Sequence, residues 1–168
     1  MNGKSTVSRA MLGSAFAFLL VTTGAGAQSD CANPRDTTAL KTADMQQFLM
    51  VAALTCGKIA AYNGFVTSHQ RELQESDAVL LRFFMARNAR TGDADYNAYK
   101  TALANAASLR NIHDPQFCAA AETAFAAAGD RTVAELVNAV APPIKLEYAS
   151  CEVPAGRPLR REASLTGR

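Results

Sequence analysis

Four cysteines, Cys31, Cys56, Cys118 and Cys151, constrain what this chain can fold into more than any other feature. Consecutive ones are separated by 24, 61 and 32 residues, whereas zinc-type ligation wants paired Cys or His a few residues apart. There is no C-x-x-C, which argues against a thioredoxin-like exchange site, and no C-x-x-C-H, which excludes c-type haem attachment. An even number of widely spaced cysteines reads as a disulfide framework, provided that the chain reaches an oxidising compartment.

The first residues supply that condition. Lys4 and Arg9 form a positive region, and Ala10 to Val21 is an apolar run too short for a spanning helix. Ala25-Gly26-Ala27 fits the small-x-small cleavage pattern. The reading is a secretory signal peptide cut after Ala27, leaving no stable membrane anchor and a periplasmic or secreted protein. The remaining 141 residues suit one domain and carry 15 basic and 15 acidic side chains. A formally neutral chain has no broad field to attract nucleic acid or an anionic membrane. Its tail from Arg157 holds four arginines and one glutamate, and reads as solvated and disordered.

The middle of the chain is alanine-rich, and strand signatures are nearly absent. A first helix is expected from about Ala43 to Cys56, capped by Thr42, with Asp44 in its first turn. It is apolar nearly all round, which marks the central helix, and Gly57 ends or bends it. A long second helix is expected from Ile59 to Asn88, with Phe65, His69, Leu73, Leu80 and Phe84 on its core stripe. Gly92 is expected in a left-handed position after it, with Asp93 capping a third helix from about Ala94 to Asn111. Asp114-Pro115 starts a fourth helix that ends at Ala128. Thr132-x-x-Glu135 is a capping box for a short fifth helix, which Pro142-Pro143 ends. Ile144 to Tyr148 alternates apolar and polar residues and reads as an extended strap.

Among the three pairings, geometry favours Cys56 with Cys118, because both lie on apolar stripes at helix ends. Cys31 and Cys151 would then tie the N-terminal lead to the strap. Cys56 at a helix C-terminus faces the negative dipole end, a poor place for an activated thiolate.

Candidate chemistry is sparse. His69 and His113 are the only histidines, and neither G-x-S-x-G nor H-E-x-x-H is present. Glu72, Glu75 and Asp77 fall within six residues of one helix and read as a solvated face rather than a carboxylate pair flanking a cleft. No Gly-rich phosphate loop follows a strand, and no cofactor or metal is implied. Aromatic residues, Phe48, Tyr62, Phe65, Phe84, Tyr96 and Tyr99, could line a groove between helices with His69 beside them.

The strings "FLMVAALTCGKIAAYNGF", "LQESDAVLLRFF" and "YNAYKTALANAASLR", with Phe117-Cys118, resemble a group of uncharacterised small exported four-cysteine helical bacterial proteins. The resemblance spans about Phe48 to Ala121. Members sometimes carry the label S-adenosyl-L-homocysteine hydrolase. This chain has no G-x-G-x-x-G and no room for two α/β domains, so no catalytic residue is carried over. The resemblance implies a bacterial envelope location and a helical fold.

These readings combine into an all-α domain, a disulfide-stapled antiparallel four-helix bundle with a short fifth helix and an extended C-terminal strap. Its expected parts are a signal peptide over 1–27, a lead over 28–41, a helical domain over 42–153 and a disordered basic tail over 154–168. The expected function is a non-catalytic binding or interaction module for an unknown protein or small apolar ligand, with a groove drawn from Tyr62, Phe65, His69, Tyr96 and Tyr99. The alternative is a small periplasmic enzyme built around His69 or His113.

Overall fold

A computed structural model describes residues 31–140 and 148–151. The leader, the segment 141–147 with Pro142-Pro143 and most of the expected strap, and the basic tail lie outside the described residues. The described chain is all-helical: α1 Pro34–Thr55, α2 Ile59–Ser68, α3 Gln70–Arg87, α4 Gly92–His113, α5 Phe117–Ala128 and α6 Val133–Ala139.

α1 begins at Pro34, well before the expected Ala43, so that residues assigned to the lead belong to the helix. The Asn33 side chain accepts hydrogen bonds from the backbone N–H groups of Arg35 (2.9 Å) and Asp36 (3.0 Å), and Pro34 follows at the first helical position. This is the same Asx-Pro signal read at Asp114-Pro115. Thr42 is therefore interior and buried, and its hydroxyl has no hydrogen-bond partner. Asp44 becomes a half-buried interior carboxyl, pushed up to about 6 by burial, with the Arg110 charge opposing. Gly57 ends the helix with φ +68°, and Lys58 N–H returns to the Ala53 carbonyl at 3.0 Å, closing a Schellman-type cap.

The expected long second helix is two helices that meet at His69. At the junction the His69 ring lies 3.0 Å from the Phe65 carbonyl through Nδ1 and 3.0 Å from the Arg131 carbonyl through Nε2, while His69 N–H keeps its backbone bond to Phe65 at 3.1 Å. A side chain that shares the carbonyl of its own preceding turn is a common accompaniment of a helix bend. Gly92 is not left-handed. It opens α4, where a Cβ would lie 2.6 Å from the Met85 Cα. Asp93 is not the cap; Thr91 holds that position and its hydroxyl donates to Asp95 at 2.7 Å. α5 starts at Phe117, after a turn in which Asp114 accepts from Gln116 N–H at 2.9 Å. The Thr132–Glu135 capping box is formed as expected.

α1 is the central element and touches each of the other five helices. One apolar cluster gathers Phe48, Leu49, Phe65, Leu73, Phe117 and Leu136, with Phe48 and Phe117 edge to face at 5.0 Å. A second gathers Leu40, Leu80, Phe83, Phe84, Tyr99 and Leu103, with Tyr148 against it. Arg110 spans the first cluster's rim, its guanidinium 5.3 Å from the Phe48 ring centroid and 3.5 Å from Asp114.

The disulfides join Cys56 to Cys118 and Cys31 to Cys151, the pairing that helix geometry favoured. The first fixes the end of α1 to the start of α5. The second sits beside a parallel bridge between Ala32 and Ser150, with Cys151 N–H donating to the Ala32 carbonyl at 2.8 Å. With sequence separations of 62 and 120, chain-entropy reasoning assigns about 4 and 5 kcal/mol to the two closures.

Candidate functional site

The turn of α3 that faces α2, α1 and α4 is polar. Gln70, Gln74 and Asp77 recur at i, i+4 and i+7, so they share one face. Gln46 from α1, Val66 and Thr67 from α2, and Lys100 from α4 complete a cleft of about 410 Å³ around the buried Leu73. That volume lies in the range of small-molecule sites.

One wall is a closed network. The Tyr96 hydroxyl donates to the Asp77 carboxylate at 2.7 Å, while the Lys100 ammonium donates to Asp77 at 2.8 Å and to the Tyr96 oxygen at 2.9 Å. Burial pulls the Lys100 ammonium down, but hydrogen bonds and charge from Asp77 and Tyr96 outweigh it and hold the group above lysine's ordinary value. Burial pushes Tyr96 up, with Lys100 opposing and Asp77 adding to the rise. On the other side Tyr62 is also raised, by burial against the opposing effects of a Gln46 hydrogen bond and the Lys100 charge.

The geometry of this wall is that of a closed network: the Asp77 carboxylate is paired with the Lys100 ammonium, and the Tyr96 hydroxyl joins both. It presents a set of oriented donors and acceptors beside the cleft.

The five residues expected to form an aromatic groove are not brought together, and none of them lines this cleft. Tyr62 packs against the first cluster, and Tyr96 bonds Asp77 and Lys100, so that Tyr96 supports two lining residues. Phe65 and His69 are buried together, ring centroids 5.1 Å apart. Tyr99 is buried against Phe84 in the second cluster, at 5.4 Å. Phe48 and Phe84 are core residues as well.

His69 has carbonyl oxygens at both ring nitrogens, so neither nitrogen is open to a substrate; either neutral tautomer donates to one of them and the imidazolium to both. His113 is exposed at the end of α4. The acidic run divides: Glu72 accepts from Val133 N–H at 2.8 Å and so caps α6, Glu75 lies 3.9 Å from Arg71, and Asp77 enters the cleft network. Among the described residues no group of three His, Cys, Asp or Glu side chains is placed to hold a metal ion, and no helix is long and apolar enough to cross a membrane.

Sequence reasoning passed over Gln46, Thr67, Gln70, Gln74 and Lys100. The available signal was Gln70-x-x-x-Gln74-x-x-Asp77, three hydrogen-bonding side chains at helical spacing beside the core residue Leu73. Comparison with protein-family models, curated proteins and solved structures gives no match.

Proposed function

We propose that this chain is an exported, non-catalytic helical binding module whose ligand occupies the cleft between α1, α2, α3 and α4. The observation that carries the reading is the closed Tyr96–Asp77–Lys100 network on the cleft wall: its polar groups are positioned before any ligand arrives, and its charges cancel. Preorganised polar groups around an apolar floor favour an uncharged ligand with hydrogen-bonding groups and an apolar part resting on Val66 and Leu73.

The reading includes cleavage after Ala27 and residence in the bacterial envelope, supported by the two disulfides. It includes the uncharacterised exported group as the chain's relatives. It also takes the four main helices as an antiparallel bundle, supported by the contacts of Gly92 with Met85 and of Lys100 with Asp77, which run α3 and α4 in opposite senses. Of the expected strap only Tyr148 is among the described residues; it packs on the second cluster, edge-on to Phe83 at 5.1 Å.

The test is an NMR titration of the ¹⁵N-labelled, disulfide-intact protein with a set of neutral polar fragments. Shifts should centre on Gln46, Thr67, Gln70, Gln74 and Lys100. Shifts centred elsewhere, or turnover of a bound compound that a single His69→Ala or His113→Ala change abolishes, would overturn the reading.

A further inference from the structure

Three of the eight residues lining the cleft are glutamines, and its one charged pair, Asp77 and Lys100, is closed on itself. Gln46, Gln70 and Gln74 each end in a primary amide with two N–H donors and one carbonyl acceptor. A peptide unit carries the same two functions, one N–H and one C=O, so each glutamine can give and take a hydrogen bond with it.

The spacing agrees. Along α3, Gln70 and Gln74 are separated by about 6 Å of helix rise, and Gln70 and Asp77 by about 10 Å. In an extended strand, peptide units facing the same side recur every two residues, about 6.7 Å apart. Glutamine side chains are long enough to absorb the difference. Val66 and Leu73 lie between the polar groups and offer apolar contact to one side chain of such a strand. The Asp77–Lys100 pair cancels its own charge, so the wall selects neither anion nor cation. No aromatic ring is among the side chains lining the cleft, which leaves no platform for the face of a sugar ring.

We infer that the cleft binds an extended, uncharged peptide segment of three or four residues, read mainly through its backbone by Gln70, Gln74 and Gln46. The inference rests on the reading of this cleft as the binding site and names its ligand class. Both α3 glutamines are exposed, so replacing them leaves the core untouched.

The probe is a mixture of N-acetylated, C-amidated tetrapeptides built from Ala, Val, Leu and Ser at every position. Its comparators are the same mixture with N-methylated backbones and a neutral trisaccharide. Binding is followed by NMR at the glutamine side-chain amides of the disulfide-intact protein. The expected result is saturable shifts with the peptides, at least tenfold weaker binding of the N-methylated mixture, and at least tenfold weaker binding by a Gln70→Leu/Gln74→Leu variant of unchanged melting temperature. Equal binding of the N-methylated mixture would overturn the inference, because the backbone would not be read. Response to the trisaccharide or to neutral fragments, with none to the peptides, would overturn the peptide class and leave the binding module standing. No response in the cleft to any of them would remove both.

Discussion

Replacing Gly92 with alanine separates this structure from any argument based on helix propensity. Gly92 opens α4 with an ordinary helical backbone, and propensity alone makes Ala the better residue there by up to about 1 kcal/mol. The packing reverses the sign. An alanine Cβ would lie 2.6 Å from the Met85 Cα, 2.7 Å from the Met85 nitrogen and 2.8 Å from the Phe84 carbonyl carbon. Unbonded carbons rest at about 3.5–4.0 Å, so α3 and α4 would have to part by roughly 1 Å. The obstacle is backbone, which cannot rotate aside as a side-chain tip can. Overpacking typically costs about 1–3 kcal/mol, and after the helix gain a net loss of about 1–2 kcal/mol is expected for Gly92→Ala. Gly64 is the internal control. It lies inside α2 with nothing within 4 Å of its ideal Cβ, so Gly64→Ala should gain about 0.5–1 kcal/mol. Urea unfolding followed by circular dichroism, without reductant, reads both: the midpoint should fall by about 1 M for Gly92→Ala and rise slightly for Gly64→Ala. A Gly92→Ala protein as stable as the wild type would refute the close approach of α4 to α3.

Thr42→Val, nearly isosteric, removes a buried hydroxyl that has no partner and should stabilise by about 1 kcal/mol in the same assay; a loss of that size would mean that the hydroxyl is satisfied. Asp44 carries a folded value of about 6 against 3.8, so the native state binds the extra proton between these values. Stability should therefore fall as pH rises through that window, with the penalty absent below 3.8 and complete above about 6. Asp44→Asn should flatten this slope and stabilise by roughly 1–3 kcal/mol at pH 7; an unchanged slope would count against burial of the carboxyl. Cys56→Ser/Cys118→Ser opens the closure with a separation of 62 and should lower stability by about 4 kcal/mol, a large drop in melting temperature that reductant does not deepen through this bridge.

What the sequence made legible was local. The capping box at Thr132, the stop at Gly57 and the central place of α1 each depend on neighbouring residues, so their signals survive in one dimension. The start of α1 was legible in principle at Asn33-Pro34, but Thr42 and Asp44 imitate a later start. The break at His69 was not, because one of its two carbonyl partners belongs to Arg131, 62 residues away. Gly92 looked like a turn glycine because the residue it makes room for, Met85, belongs to another helix. The cleft was hidden for the same reason. Gln70 and Gln74 on an otherwise charged stretch look like a solvated face until α1 brings Gln46 and α4 brings Lys100 opposite them. The aromatic groove read from the sequence does not form, since Phe65, His69 and Tyr99 are buried and Tyr96 meets the cleft only through Asp77 and Lys100.

The most direct test is native mass spectrometry of the protein purified from an oxidising compartment, wild type beside Gln70→Leu/Lys100→Met. The expected wild-type spectrum is the two-disulfide chain starting at Gln28 with a retained neutral molecule, and the variant should carry the same disulfides and lose that molecule. An identical adduct on both proteins, or none on either, would contradict the cleft as the binding site.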